Sequence, residues 1–389
     1  MRSEWVEMEL CNFVEITMGQ SPLSKYYNDS GVGLPFLQGN RTFGPLYPTV
    51  DTWTRKATRL ALPNDILMSV RAPVGALNIA NKEVCIGRGL CSLRAKNEQH
   101  KFLYYLLKNS VVRLVNKESG TVFGSVNKKD IETLKVAIPS VKTQQSISNI
   151  LSCLDKKIEL NNKINENLEQ QAQVIFKSWF VDFEPFQDGK FVESELGMIP
   201  NGWKVARLPE FVEVTYGSAF QSKYFNKEKK GFPLLRIRDL KTRNPQIYTE
   251  QELGNQTIIE AGDLVAGMDA EFIPYIWLGE KALMNQRVCR FKYKDKTISN
   301  LYTYYLLKPS LEYIQNYKTG TTVSHIGKRD IDNIAIIVPP TSILHDFSNI
   351  VKPILNYKIA LANQIRTLTN LRDTLLPKLM SGEIEVPVE

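Results

Sequence analysis

Two long segments of the chain repeat apolar residues at intervals of three and four positions. In residues 143–184 these positions are Ile147, Leu151, Leu154, Ile158, Leu168, Ala172 and Ile175. In residues 341–377 they are Phe347, Ile350, Ile354, Tyr357, Leu361, Leu368, Leu371 and Leu375. This spacing is that of a coiled-coil seam, so it predicts two long helices that pair, with Asn161, Asn165 and Gln364 as polar positions that fix the register. The alternative is that each helix packs only on its own domain.

The chain ahead of each long segment has the pattern of a mixed α/β domain. Short β-like runs occur at 65–70 and 334–338, and Gly and Pro interrupt the chain often. A helix-like Tyr-Tyr-Leu-Leu-Lys segment lies within each region. This order predicts an α/β (α+β) domain followed by a long helix, twice.

The two halves of the chain are copies of one unit. Residues 5–19 match residues 203–217 at seven of fifteen positions, with an offset of 203 − 5 = 198. The Tyr-Tyr-Leu-Leu-Lys segment at 104–108 recurs unchanged at 304–308, and further matches stay in the same order. The period is far longer than the roughly 20–50 residues of a solenoid repeat, so it indicates a domain-sized duplication.

The composition excludes several classes of protein. Hydrophobic residues make up 43% of the chain and charged residues 23%, which is typical of globular domains. The sequence has neither a run of about 18 apolar residues nor a secretory signal, so we expect a cytoplasmic protein. The net charge of +8 is compatible with a polyanionic partner.

The five cysteines do not form a metal-binding pattern. They lie at positions 11, 85, 91, 153 and 289, without a C-x-x-C pair and without a histidine at zinc-ligand spacing. We therefore predict no metal site and no disulfide framework. Cys91 and Cys289 occupy matched positions of the repeat and are predicted to be buried free thiols in strands.

Polar and basic residues in the first half form a candidate DNA-binding set. Amide side chains pair with adenine, arginine pairs with guanine, and lysine holds phosphates. The 120–130 loop also combines glycines, hydroxyls, an amide and two lysines. The candidates are Gln38, Asn40, Arg41, Arg71, Arg88, Thr121, Ser125, Asn127, Lys128 and Lys129.

The second half carries matched candidates with different chemistry, as two readers of different sequences would. They are Arg236, Arg238, Lys241, Arg243, Gln286, Arg287, Thr321, His325, Lys328 and Arg329. The alternative is structural: a solvated strand end at 236–243, and in each half a glycine turn leading into a helix with Asp130 or Asp330 in its first turn.

The sequence contains no recognised catalytic motif. It lacks the phosphate-binding G-x-x-x-x-G-K-[ST] loop, the G-x-G-x-x-G loop, H-E-x-x-H and the [DNS]-P-P-[YF] motif of amino-methyltransferases. We therefore predict no catalytic and no cofactor-binding residues. Two alternatives remain open: a stand-alone DNA methyltransferase or nuclease with an unrecognised site, and a structural adaptor without sequence specificity.

Motifs along the whole chain resemble those of type I restriction–modification specificity subunits. Residues 197–205 (GMIPNGWKV) resemble the entry to that family's second target-recognition domain, and residues 178–183 (SWFVDF) resemble the end of its central helix. Residues 79–81 with 85–90, and the C-terminal 375–384, also match family segments. Residues 285–289 (NQRVC) depart from the Gly-Arg-Gly form found at 87–89.

The resemblance implies an architecture of two target-recognition domains joined by a long antiparallel two-helix coiled-coil spacer. The expected segments are a first recognition domain at 1–143, a first spacer helix at 144–182, a linker at 183–202, a second recognition domain at 203–342, a second spacer helix at 343–380 and a tail at 381–389.

The resemblance also implies a non-catalytic role. The chain is expected to read a bipartite site on double-stranded DNA. Two methyltransferase subunits are expected to dock on it and methylate adenine, and restriction subunits to join them. S-adenosylmethionine, ATP and Mg are expected on those partner subunits, with no cofactor in this chain.

Overall fold

The structure, a computed structural model, describes residues 5–116, 125–318 and 325–387. It divides into two compact units: the first comprises Met1–Lys157 and Leu368–Glu389, and the second comprises Ile158–Thr367. The first long helix (Val141–Phe180) and the second long helix (Thr341–Met380) each contribute to both units. Each unit therefore contains one α/β domain and parts of both long helices.

The first unit combines eleven described strands with helices of 4 to 17 residues and the ends of the two long helices. Its helices are Leu10–Phe13, His100–Asn116 and Lys128–Glu132, with 3-10 turns at Ser24–Tyr26 and Asn40–Thr42. Its strands are β1 (Val6–Glu9), β2 (Val14–Met18), β3 (Tyr27–Asn28), β4 (Leu34–Leu37), β5 (Trp53–Thr54), β6 (Leu60–Ala61), β7 (Ile66–Ser69), β8 (Leu77–Ile79), β9 (Val84–Ile86), β10 (Leu90–Ala95) and β11 (Lys135–Ile138).

The second unit repeats this order within its described residues. Its helices are Leu208–Phe211, Ile237–Leu240, Asn300–Lys318 and Lys328–Asp332, with 3-10 turns at Glu184–Phe186 and Ser222–Tyr224. Its strands are β12 (Phe191–Ser194), β13 (Gly197–Pro200), β14 (Lys204–Arg207), β15 (Val212–Tyr216), β16 (Phe225–Asn226), β17 (Phe232–Leu235), β18 (Tyr248–Thr249), β19 (Ile258–Ile259), β20 (Leu264–Gly267), β21 (Pro274–Ile276), β22 (Ala282–Met284), β23 (Val288–Tyr293) and β24 (Ala335–Val338).

The sheets of the two units have the same topology in their described strands. In the first unit the orders are β1-β11, β2-β10-β7-β8 and β3-β5-β4-β9-β6. In the second they are β14-β24, β15-β23-β20-β21 and β16-β18-β17-β22-β19, and the β12-β13 hairpin is added. Register is also shared, because Cys91 pairs with Met18 while Cys289 pairs with Tyr216 at the matched positions. The duplication and the mixed α/β class are thus confirmed.

Each unit buries its own apolar core against the long helices. In the first unit, residues of the four-stranded sheet and of the helix His100–Asn116 pack with Ile147 and Leu151 of the first long helix and with Leu376 and Leu379 of the second. In the second unit the corresponding core includes Phe176, Phe180 and Phe347. Each long helix therefore packs on both domains, whereas the alternative interpretation had each helix pack only on its own domain.

The two long helices are also paired with each other, as the spacing predicted. In the second unit, the Asn161 side-chain amide donates a hydrogen bond to Gln364 Oε1 over 3.1 Å, and Lys358 binds the Glu169 carboxylate. In the first unit, a guanidinium nitrogen of Arg372 lies 2.7 Å from Asp155 Oδ1. In both units an early part of one helix lies beside a late part of the other, so the pairing is antiparallel.

In the second long helix, some of the residues predicted to lie on the seam are exposed, and in two cases the following residue is buried instead. Ile350, Tyr357 and Leu371, which were predicted on the seam, are 43%, 50% and 45% exposed. Val351 and Lys358 are buried instead. The sequence offers adjacent apolar residues at several turns, and the Lys358–Glu169 ion pair stabilises a buried lysine that periodicity cannot anticipate.

The buried thiols agree with the prediction. Cys91 in β10 and Cys289 in β23 are free and buried. Burial raises the pKa of each thiol to about 12, so both stay protonated and act as small apolar groups. Separately, none of the helices within the described ranges is long and apolar enough to cross a membrane.

Candidate nucleic-acid interface

Five of the first-half candidates line one open cleft in the first unit. The cleft has a volume of about 520 Å³. Its candidate residues are separated by up to fifty positions in the sequence, and they come from the ends of three strands or their adjoining turns. They are Gln38 after β4, Asn40 and Arg41 in the 3-10 turn, Arg71 after β7, and Arg88 before β10.

A close backbone approach holds Arg88 at the mouth of this cleft. The Gly87 amide donates to Leu37 O over 2.8 Å, and the Gly89 amide donates to Gln38 O over 3.2 Å. A Cβ at residue 89 would lie only 2.6 Å from Gln38 O, so glycine is required there. The Gly-Arg-Gly sequence therefore allows the backbone to lie in close contact with the end of β4, and the Arg88 side chain remains exposed.

The cleft is rich in donor groups. Arg71 and Arg88 are exposed and form no ion pair with any residue in the described ranges. Arg41 lies 2.7 Å from the Asp51 carboxylate, and this hydrogen bond lowers the pKa of Asp51. The Asp51 carboxylate offsets one of the three arginines, so the cleft remains positively charged and suits an anionic ligand that also offers acceptor atoms.

The described end of the first candidate loop lies beside Arg71. Ser125 forms a β-bridge with Arg71, and the Val126 amide donates to Val70 O over 2.9 Å. Asn127 caps the helix Lys128–Glu132 by accepting from the Asp130 amide, so the predicted helix start is present. Thr121 and Thr321 lie outside the described residues.

The lysines of the two loops lie in short helices. Lys128 lies 3.5 Å from Glu132, and Lys328 lies 2.6 Å from Asp332. Both lysines are exposed, as are Lys129 and Arg329. Exposed pairs of this kind contribute about 0–1 kcal/mol, so they leave the ammonium groups available to a stronger anion.

The second unit keeps the backbone of this region but changes its side chains. The Asn285 amide donates to Leu235 O over 3.1 Å, as Gly87 does to Leu37, so the turn is retained without the Gly-Arg-Gly sequence. Arg287 Nε lies 3.2 Å from Asp269 Oδ2, and His325 Nδ1 lies 2.6 Å from Asp269 Oδ1. Gln286 is exposed beside Arg287.

Of the four basic candidates after β17, one is half-buried and pairs with a neighbour, and three are exposed. Arg236 Nε donates to Asp239 Oδ2 over 3.1 Å, at the start of the short helix Ile237–Leu240. Arg238, Lys241 and Arg243 are exposed. Arg236 thus contributes to local structure, whereas the other three present their charge to solvent.

Asp51 and Asp269 are site residues that the sequence analysis missed. Both are acidic, and the search for DNA contacts selected amides and cations. A signal for Asp269 was present, because it aligns with Arg71 at the 198-residue offset of the repeat. Matching each candidate to its partner position, whatever its charge, identifies it.

Comparisons with known proteins identify the family. The model of the type I restriction modification DNA specificity domain matches residues 2–170 and 200–370, one match in each half. The type I restriction enzyme MjaIX specificity subunit of Methanocaldococcus jannaschii is 27% identical over 418 residues, which cover 98% of this chain and 94% of that one. The EcoBI specificity subunit of Escherichia coli is 32% identical over 142 residues, covering 36% of this chain and 30% of that one.

A solved structure shares the fold over nearly the whole length. The S subunit of the type I restriction-modification system from M. genitalium superposes with a TM-score of 0.60 at 17% identity, covering 97% of this chain and 96% of the other. At 17% identity this similarity shows a shared fold and nothing further. The family model alone spans well over half of the sequence. The chain therefore belongs to the type I restriction–modification specificity-subunit family and carries two copies of its DNA specificity domain.

Proposed function

We propose that this chain is the DNA-reading subunit of a type I restriction–modification complex and that each of its two units recognises one half of a bipartite site. The observation that carries the proposal is the cleft of the first unit. There Gln38, Arg71 and Arg88 converge from distant parts of the sequence with exposed donor groups. Such side chains pair with base edges in the major groove.

The chemistry is assigned to partner subunits. We propose that methyltransferase subunits, two per chain, bind S-adenosylmethionine and methylate adenine, while restriction subunits use ATP and Mg. This chain determines the DNA sequence at which the partner subunits act. A purified chain that cut or methylated DNA by itself would favour the enzyme alternative, and a reconstituted complex without sequence preference would favour the adaptor.

A domain exchange tests whether each unit recognises its half of the site independently of the other. Replacing residues 203–340 with the matching domain of another family member should change one half of the recognised site and leave the other half unchanged. The reason is that the candidate reading residues of each half lie within a separate compact unit. Adenine-methylation mapping in cells that express the chimera with its methyltransferase partner measures both halves at once. A simultaneous change in both halves contradicts the proposal.

Lys128 and Lys328 are proposed to hold phosphates. Lys→Ala at either position should weaken binding to all sequences and reduce the slope of log affinity against log salt by about 1, because one counterion fewer is released. Lys281 provides a control, since it also forms an exposed pair, 2.6 Å from Glu260, and lies outside the candidate loops. Lys281→Ala should leave the slope unchanged. An unchanged slope in the Lys128 and Lys328 variants excludes these lysines from the interface.

A further inference from the structure

Residues 71 and 269 occupy the same backbone position in the two units. Arg71 forms an antiparallel β-bridge with Ser125, and Asp269 forms one with His325. The flanking hydrogen bonds also match: the Val126 amide donates to Val70 O, and the Ile326 amide donates to Met268 O, each over 2.9 Å. Only the side chains at the position differ, and they have opposite charge.

In the first unit this position points a guanidinium into the cleft. Arg71 is exposed, lines the cleft together with Gln38 and Arg88, and forms no ion pair within the described part of the chain. It is available to donate two parallel hydrogen bonds to one acceptor edge, which is the geometry that guanine O6 and N7 offer.

In the second unit the same position holds a carboxylate that binds two neighbours. Asp269 Oδ2 lies 3.2 Å from Arg287 Nε, and Asp269 Oδ1 lies 2.6 Å from His325 Nδ1. The Asp269 side chain is only 28% exposed, whereas that of Arg287 is 54% exposed. The contact occupies the Nε side of the Arg287 guanidinium and leaves its outer nitrogens for another partner.

We propose that Arg287 reads a guanine in the second half of the site and that Asp269 is the positioning residue that orients it. The assignment rests on the proposed function. A long side chain loses rotamer freedom when it binds, and a carboxylate that holds it beforehand reduces that loss. The first unit reads with the residue at position 71 itself. In the second unit that position holds Asp269, which orients the arginine, and the guanidinium comes from position 287.

Sequence selection from a pool of random DNA duplexes tests the assignment, with the full chain in complex with its methyltransferase partner. Arg287→Ala should lower the preference for guanine at one position of the second half-site by roughly 5- to 150-fold, the range of a bidentate contact. Asp269→Ala should lower the preference at that same position by about tenfold. Arg71→Ala should alter the first half-site only.

The double variant distinguishes positioning from an independent contact. Asp269→Ala with Arg287→Ala should lose no more preference than Arg287→Ala alone, since the carboxylate acts through the arginine. Asp269→Asn, which keeps the shape and one acceptor, should give a smaller loss at the same base and replaces Asp269→Ala if that variant does not fold. Glu260→Gln, which breaks the exposed pair with Lys281, is the matched control and should change nothing.

Two results would overturn the assignment while leaving the proposed function intact. One is additive losses in the double variant. The other is a preference at a different base after Asp269→Ala, as expected if Asp269 itself accepted from a cytosine amino group. An unmutated complex without any sequence preference would instead overturn the proposed function and, with it, this inference.

Discussion

Asp155→Ala is expected to lower the free energy of unfolding of the first unit by about 3–5 kcal/mol, the range for breaking a buried ion pair by removing one partner. The Asp155 side chain is only 7% exposed and binds two groups at once. Arg372 lies 2.7 Å from one carboxylate oxygen, and the Tyr105 hydroxyl donates to the other over 2.5 Å. Removing the carboxylate leaves the Tyr105 hydroxyl without its acceptor and leaves the largely buried Arg372 guanidinium with only the exposed Asp373 carboxylate as a partner.

The directions in which the pKa values of Tyr105 and Arg372 are shifted agree with this arrangement. Burial, together with the hydrogen bond to Asp155, raises the pKa of Tyr105 far above its ordinary value, so its hydroxyl remains a donor. Burial acts to lower the pKa of Arg372, but the hydrogen bonds to Asp155 and Asp373 outweigh it and raise that pKa. Arginine is not deprotonated in proteins, so Arg372 keeps its charge after the substitution, and deprotonation does not relieve the cost of losing Asp155.

The repeat itself supplies the rescue variant. The matched positions of Asp155 and Arg372, 200 residues away in the paired helices, are Leu355 and Ala172, and both are buried. Asp155→Leu combined with Arg372→Ala imports this apolar pair and should recover most of the loss, because no charge is left buried.

Urea unfolding followed by circular dichroism measures the change, and hydrogen exchange assigns it to peptides of the first unit. Glu159→Ala is the control on the same helix: Glu159 forms an exposed pair with Lys163, so its loss should be below about 1 kcal/mol. A loss for Asp155→Ala no greater than that of the control would show that the buried pair does not stabilise the unit.

Phe180→Ala is expected to destabilise the second unit by about 3–5 kcal/mol, as for other large aromatic residues removed from cores. Phe180 is 8% exposed, near the end of the first long helix. Its ring centroid lies 4.9 Å from that of Phe347, 5.1 Å from that of Tyr302 and 5.9 Å from that of Trp203. The ring thus joins both long helices to the domain that begins at Trp203.

Trp203 also reports on this cluster. Besides the loss of stability in urea, Phe180→Ala should shift tryptophan fluorescence to longer wavelength, because water reaches the neighbouring ring. The adjacent Val181 is 57% exposed, so Val181→Ala should change stability by less than about 0.5 kcal/mol and leave the emission unchanged. Equal effects of the two substitutions would mean that the aromatic cluster does not hold the helix end to the domain.

Periodicity and repetition alone determined much of the architecture. The three-four spacing identified both long helices because helical geometry places such residues on one face whatever they pack against. The polar stripe positions Asn161 and Gln364 were found in the same way, and in the structure their side chains are hydrogen-bonded to each other. Ordered matches 198–200 residues apart established two copies of one domain, and family motifs indicated what such a pair of domains does.

Only the tertiary structure decided which residues act together. Choosing between Ile350 and Val351 for the seam depends on the partner helix, since both are apolar and adjacent. The cleft unites Gln38, Arg71 and Arg88 across three strand ends, and no local pattern encodes that convergence. Asp269 acquires its position from contacts with residues 18 and 56 places away in the chain. Local sequence specifies which face of an element is apolar, whereas long-range packing decides which polar groups meet.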